Sequence, residues 1–365
     1  MLTIGYVFMI RFIQHLWSLT PDAKTEASSY QRISVVVSAR NESKNIHHCI
    51  QSILNGTYSK EHFEVIIVDD HSEDGTPEVI EKSFGEKVQL IRQQSGKAGK
   101  KAALSAGIAA AKGDLIAVTD ADTVVPSQWL SFINSAFANQ KIQMVTGPVM
   151  PRMEDSAIHR FQCLDFAATM GVTAAGLHTG RLALANGANM AFRKSFFHEV
   201  GGFESNRDIA SGDDIFLMQK ALINDPERVL FLKSAEAVAV TAPEYSWNSL
   251  IHQRRRWAGK TRFYINHNMT VVQTIVFCFT LGIFVVALAG LMTDFRLLML
   301  ALAMAMIKLY TDYHYLSGMT HYFGYQKAMK YFVLSFLIYG AHILISGWFA
   351  LVPTSTLWKG RVIGK

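Results

Sequence analysis

The chain has 365 residues and a formal net charge of +6, with half of its residues apolar and only 18% charged. That length has room for one sizeable domain plus something smaller, and the positive mean hydropathy is unusual for a purely soluble enzyme. The basic balance comes without a long basic run, zinc-finger spacing or RNA-binding signature, so nucleic acid is excluded as a partner, leaving anionic lipid or a phosphorylated substrate.

Cys49, Cys163 and Cys278 are far apart and in no metal-like spacing, which predicts no disulfide scaffold and fits a reducing cytosolic face. Met1 to Thr20 is apolar and aromatic but interrupted by Arg11 and His15, and lacks the start and cleavage site of a signal peptide. It reads as a short membrane anchor or interfacial helix, or else as an amphipathic helix packed on the domain. Pro21 to Gln31 reads as a linker.

From Ile33 short apolar runs alternate with helical segments. Strands are predicted at Ile33–Ser38, Glu64–Asp69, Val88–Arg92, Leu115–Thr119 and Ile142–Thr146. Helices are predicted at Ser43–Leu54, Thr76–Phe84, Lys100–Ala111 and Ser127–Phe137. The alternation points to right-handed βαβ units and a mostly parallel, Rossmann-like sheet.

Three of these strands end in polar groups: Ser38 to Glu42, Asp69 to Thr76, and Asp120-Ala121-Asp122. Parallel strands bring their C-terminal ends to one edge, where ligands bind in open α/β sheets. Asp120 and Asp122 repel unless a cation lies between them, and a hard divalent ion with oxygen ligands would serve. Each piece also has a plainer reading. The aspartate pair can be a solvated turn, Ser72 or Asp74 can cap a helix, and Gly96 to Lys101 can be a basic loop or a phosphate-steering helix start.

Further along, Ser211-Gly212-Asp213-Asp214 reads as a helix start ahead of Ile215 to Leu222. Trp247 to Phe263, with Gln253-Arg254-Arg255-Arg256-Trp257, reads as an amphipathic helix just before the first long apolar span. Its arginines suit diphosphate oxygens, or equally the basic and aromatic belt beside a membrane, with Arg254 and Arg255 as anchors. Val271–Met292 and Tyr331–Val352 are long enough to cross a bilayer. Between them Leu297–Thr311 is shorter and carries Lys308, so it reads as a weaker span or re-entrant segment after a turn marked by Asp294 and Arg296. Gly340 or Gly347 could break the last span, and the tail from 354 to 365 is basic.

The set Ser38-Ala39-Arg40-Asn41-Glu42, Val68 to Thr76, Gly99 to Leu104 and Thr119-Asp120-Ala121-Asp122, in that order, resembles the GT-A nucleotide-sugar domain of family 2 glycosyltransferases. The resemblance continues through Gly187 to Arg193, Ser211 to Asp214 and Gln253 to Trp257. It implies a GT-A domain over about residues 30–265 and a transmembrane region over 270–353. It also implies that Ser38, Arg40, Glu42 and Asp70 line the nucleoside pocket, with Lys100, Asp120, Ala121 and Arg256 at the donor. Asp120 and Asp122 would hold Mg²⁺ or Mn²⁺, and Asp214, beside Asp213, would be the catalytic base. Gly187, Asn189, Gln253 and Trp257 would meet the acceptor. Ser38 stands where the family often has Pro, and Asp213 where it usually has Glu.

The expectation is a membrane-bound, multi-pass inverting glycosyltransferase with its catalytic domain on the cytoplasmic side. It would move a sugar from a nucleotide diphosphate sugar, UDP-linked, to a lipid or membrane-tethered glycan. The alternatives are a processive polysaccharide synthase and an inactive membrane partner that keeps the fold.

Overall fold

The computed structural model describes residues 1–26, 29–94, 96, 98–182, 184–206, 209, 212–259, 268–351, 356–358 and 361–363. The linker residues 27 and 28, Ser211, Phe263 and the ends of the basic tail lie outside the described residues.

The chain opens with helix α1 (Leu2–Leu19). It then enters the sheet through β1 (Ile33–Ala39), whose β-branched run is buried on both faces, as a parallel strand covered by helices requires. The alternation that follows is α2 (Ile46–Leu54), β2 (Phe63–Asp69), α3 (Thr76–Phe84), β3 (Gln89–Arg92), α4 (Lys100–Ala110), β4 (Leu115–Asp120), β5 (Thr123–Val124) and α5 (Trp129–Ala136). Next come β6 (Met144–Thr146), β7 (Val149–Pro151) and α6 (Ala157–His178). Helix α6 is buried nearly all round, so no amphipathic stripe announces it in the sequence. Then follow β8 (Met190–Arg193), α7 (Lys194–Glu199), α8 (Asp213–Asn224), β9 (Val229–Phe231), β10 (Ala239–Thr241) and α9 (Trp247–Ala258).

The main sheet has the order β3-β2-β1-β4-β8-β6-β9. It is parallel except at β8, which runs antiparallel to both β4 and β6. A second, three-stranded sheet has the order β5-β10-β7. The reversal at β8 matters for the site, because it returns the Gly187 loop to the edge at which β1, β2 and β4 end.

Three apolar helices follow: α10 (Asn268–Met292), α11 (Phe295–Tyr322) and α12 (Phe332–Leu351). Helix α10 and the segment 326–349 are long and apolar enough to cross a membrane. Between α10 and α11 the chain turns at Asp294, whose carboxylate accepts the Arg296 N–H at 2.9 Å. Helix α11 then returns to the sheet domain, where Tyr322 packs edge-on against Trp17 at 4.9 Å. Helix α1 buries Tyr6, Ile10, Ile13 and Trp17 and turns Ile4 and Phe8 outward. A terminal hairpin, β11 (Thr356–Trp358) and β12 (Arg361–Ile363), lies against α9.

Several expectations are corrected here. The short segment at Leu297–Thr311 is part of one 28-residue helix. Lys308 does not interrupt it because its ammonium is buried against Asp312 at 2.5 Å, with the Tyr6 hydroxyl 3.1 Å away. Neither Gly340 nor Gly347 breaks α12; both lie where a side chain would press on α10, against Phe284 and Phe277. The cap position of α3 is Gly75 rather than Ser72 or Asp74, although Asp74 still accepts the Thr76 N–H at 3.1 Å. Helix α8 likewise starts from Gly212, at φ 86°, with no side-chain cap.

Helix α4 lies so close to the sheet that a Cβ on Gly107 would come within 2.4 Å of Val36 and 3.1 Å of Val68. Gly107→Val is therefore expected to destabilise the fold by about 1–3 kcal/mol through overpacking. Gly5→Ala, with nothing within 4 Å of the new methyl, should not lower stability. Thermal melts of the two purified variants check this contrast.

Candidate active site

The site is built where β1, β2 and β4 end. Register places Ser38 beside both Val68 and Asp120, so the ends of the three strands lie side by side. The loops after β1 and β2 are laced together by their own polar groups. The Arg40 guanidinium donates to the carbonyls of Asp70 and His71 at 2.8 and 3.2 Å. The Glu42 N–H donates to the Thr76 hydroxyl at 2.8 Å, and the Ser43 N–H to Asp74 at 2.9 Å. Partial burial works against the Asp74 charge, but the bonds from Thr76 and Ser43 hold its carboxyl down at about 2.

Asp70 is buried, and both of its carboxylate oxygens accept the Gly99 N–H at 3.1 Å. That bond fixes the start of α4, using a donor that the sequence suggested for a phosphate. It also aims Lys100. The Lys100 ammonium lies 2.7 Å from Asp120 at the end of β4 and 3.2 Å from Asp213 at the start of α8. Burial opposes its charge, but Asp120, Asp213 and Asp214 raise its pKa well above the ordinary lysine value. The adjacent Lys101 is buried and donates at 2.6 Å to the carbonyls of Asn206 and Ile209, holding the approach to α8. The Lys100-Lys101 doublet thus serves two neighbouring parts of the structure, a division that consecutive positions on a helix make natural.

Asp214 is held by the Gly187 N–H at 3.2 Å and the Ile215 N–H at 2.7 Å. Gly187 fits because a Cβ there would lie 3.1 Å from the Lys100 ammonium and 3.4 Å from Asp213. Asp122 sits on the far side of the aspartate loop, with the hydroxyls of Thr123 and Thr241 each 3.4 Å away. Ala121 between the two aspartates is buried, and the Cys49 thiol beneath points to the Asp120 carbonyl at 3.4 Å. Among the described residues no three His, Cys, Asp or Glu side chains form a metal cluster. Asp120 and Asp122 supply the oxygen donors that a hard divalent ion takes, with phosphate oxygens and water to complete its shell.

Arg256 on α9 is half-buried. Burial lowers its pKa from the ordinary arginine value, while Asp120, Glu244, Asp213 and Asp214 act in the opposite direction. The guanidinium thus shares the electrostatic field of the carboxylates around Lys100. Its α9 neighbours are engaged elsewhere. The Gln253 amide donates to Glu244 at 3.0 Å, and Trp257 lies under the Arg254 guanidinium at 4.3 Å, edge-on to Phe166.

Two sequence expectations change. Asn189 does not face the crevice: it is 1% exposed, accepts from the Trp129 indole at 2.9 Å and donates to the carbonyls of Pro148 and Ala237 at 2.9 Å. It organises the loop between sheets, and its amide is fully used there. Arg254 is no surface anchor but a buried partner of Asp165 on α6, 2.6 Å away. The signal for that pair was a lone acid in an otherwise apolar stretch. Beyond Asn189 the loop is tied down by Arg193 and Lys194, which donate to the carbonyls of Ile142, Phe137 and Ala111.

A sequence profile of the family described as "Glycosyltransferase like family 2" matches residues 31–260. The chain is 24% identical over 265 residues to a probable glycosyltransferase, YdaM, of Bacillus subtilis, covering 67% of this chain and 59% of that one. It is 26% identical over 243 residues to the poly-beta-1,6-N-acetyl-D-glucosamine synthase of Staphylococcus epidermidis, covering 64% and 56%. The chain thus spans under two thirds of the length of these relatives. Among solved structures, mannosyltransferase PcManGT from Pyrobaculum calidifontis, described in complex with GDP-Man and Mn²⁺, has the same fold. Its TM-score is 0.59 at 17% identity, covering 96% of this chain and 95% of that one. With the profile spanning more than half of its length, the chain belongs to glycosyltransferase family 2.

Proposed function

We propose that this protein is a membrane-bound, inverting glycosyltransferase that moves a sugar from a nucleoside diphosphate sugar, taken as UDP-linked, to a lipid or membrane-tethered glycan. The observation that carries this reading is the meeting of Asp120 and Asp213 on the Lys100 ammonium at the strand-end edge of the sheet, with the Asp214 carboxylate held beside them by the Gly187 N–H. Asp214 is the base: its carboxylate, anchored by the Gly187 and Ile215 N–H groups, takes the proton from the acceptor hydroxyl as that oxygen attacks C1. The bond from C1 to the diphosphate breaks, its electrons leave with the nucleotide, and a single displacement inverts the anomeric carbon. Lys100 and Arg256 offset negative charge on the departing diphosphate. Asp120 and Asp122 would hold Mg²⁺ or Mn²⁺, which when bound supplies Lewis-acid stabilisation to that leaving group. The Pyrobaculum mannosyltransferase, a complex with GDP-Man and Mn²⁺, supports a metal and a nucleotide sugar in this fold. Ser38, Arg40, Glu42 and Asp70 form the nucleoside side of the pocket; Gln253 and Trp257 would reach the acceptor side only on leaving their contacts with Glu244 and Arg254.

The membrane reading rests on α10 and the segment 326–349, and on the outward apolar faces of α1 and α11. The terminal hairpin lies against α9, beside the catalytic domain. We place that domain in the cytoplasm, in agreement with the positive-inside rule. The name of the staphylococcal relatives favours a second reading, processive synthesis of a polysaccharide. Product length separates the two: a single added sugar supports the first, and a ladder of oligomers the second.

Asp214→Asn is expected to lower transfer by about 10³-fold, within the range of general-base contributions. Donor affinity, read by calorimetry, should stay close to that of the parent chain; full transfer by the variant would overturn the assignment. Chelation of divalent ions should abolish release of nucleoside diphosphate from a donor panel, and Mg²⁺ or Mn²⁺ should restore it. Undiminished turnover in chelator would remove the metal from the scheme. The same panel identifies the base and the sugar.

A further inference from the structure

Away from the strand edge, α9 and α12 enclose a cleft walled by Trp247, Leu250, Ile251, Ile338, Ile345 and Phe349. Three polar side chains open into this apolar lining: Arg254, His342 and Ser346. Arg254 is 8% exposed. One edge of its guanidinium pairs with Asp165 at 2.6 Å, but its Nε–H has no hydrogen-bond partner. The Ser346 hydroxyl is buried and equally unmatched. A buried donor left unmade costs about 1–3 kcal/mol, and both of these belong to residues that line one cleft, where an acceptor would satisfy them. The rim adds charge of the same sign, with Arg255 stacked over Phe349 at 5.5 Å. At the mouth of the cleft the surface is apolar and aromatic, with Trp348 64% exposed and the wall residue Trp247 41% exposed.

We infer that this cleft seats one anionic phospholipid of the bilayer, its phosphate on the Arg254 Nε–H and the Ser346 hydroxyl and a chain along Leu250, Ile338 and Ile345. Positive donors alone would suit any anion, and apolar walls alone would suit any hydrocarbon. Their combination beside outward-facing tryptophans selects an amphiphile already in the membrane. The site lies on the Arg254 side of α9, not at the Arg256 carboxylate cluster, so it is separate from the donor pocket. A lipid there would clamp α12 to α9 and set the height of the catalytic domain above the bilayer.

Native mass spectrometry of the full chain, released from detergent with phosphatidylglycerol, phosphatidylcholine or inorganic phosphate, tests this. Phosphatidylglycerol should be retained as one tightly held copy and the other two should not. Ala341→Trp, which fills the cleft, and Arg254→Gln should each weaken retention by about tenfold, what one charge-assisted hydrogen bond contributes. Because Arg254→Gln also strands Asp165, Asp165→Asn is the decisive companion: it frees the guanidinium and should keep or tighten phosphatidylglycerol binding. Loss of the lipid in Asp165→Asn would overturn the inference by reducing Arg254 to a structural partner. Equal retention of phosphatidylcholine, equal binding of inorganic phosphate, or unchanged retention in Ala341→Trp would overturn it too. None of these readouts uses glycosyl transfer, so failure here leaves the proposed reaction standing, and the reverse.

Discussion

Carboxylates from two distant parts of the chain, Asp120 and Asp213, meet one ammonium beside Asp214, and the rest of the architecture is arranged to make that meeting possible. Asp120 ends a buried strand, while Asp213 and Asp214 begin a helix more than ninety residues later, as the numbering shows. Carboxylates brought this close repel strongly in a partly desolvated crevice, and Lys100 is the covalently held cation that offsets them. Its position is not left to the flexible side chain. Asp70 holds Gly99, Gly99 starts α4, and α4 is pressed to the sheet at Gly107. Each step uses a buried group that would be costly to leave unpaired, so the arrangement of charge is carried by the backbone of the fold.

Much of this could be read from the sequence because it is local. Apolar runs that stop at Asp69-Asp70 and Asp120-Ala121-Asp122 mark strand ends, and a parallel sheet sends all strand ends to one edge. That Asp213 and Asp214 share that edge follows from the family order of motifs rather than from any spacing. What could not be read was tertiary partnership. Asn189 looks like any polar residue in a glycine-rich loop, and only the folded chain shows Trp129, Pro148 and Ala237 around it. Arg254 sits in a basic run beside an apolar span, a pattern that favours headgroup contact. Its true partner, Asp165, lies almost ninety positions earlier on a helix that carries no amphipathic signature.

The same limit explains the membrane-side helices. Lys308 looks like an interruption when hydropathy is summed along the chain, because a lone charge in lipid is costly. In the fold it is paired one turn away with Asp312 and bonded to Tyr6 of α1. A buried pair of this kind is weak evidence for added stability, since desolvation offsets much of the attraction. It is better understood as a device that fixes which face of α11 meets α1. The first helix is thereby tied to the returning helix, and its aromatic end to the sheet domain through Trp17, Phe231 and Lys233.

Helix α9 joins these two halves of the molecule. Arg256 feels the carboxylates at the strand edge, whereas Arg254, two residues earlier, points to α6 and the cleft beneath α12. Two residues along a helix correspond to a rotation of about 200°, so arginines of one motif are delivered to opposite environments. A displacement of α9 toward or away from the apolar helices must therefore move Arg256 relative to Asp120 and Asp214. On the proposed reading, the depth of the protein in the bilayer and the geometry of the donor site are not independent variables. One rigid helix, capped at Ser246 and held on one side by Asp165, sets them both.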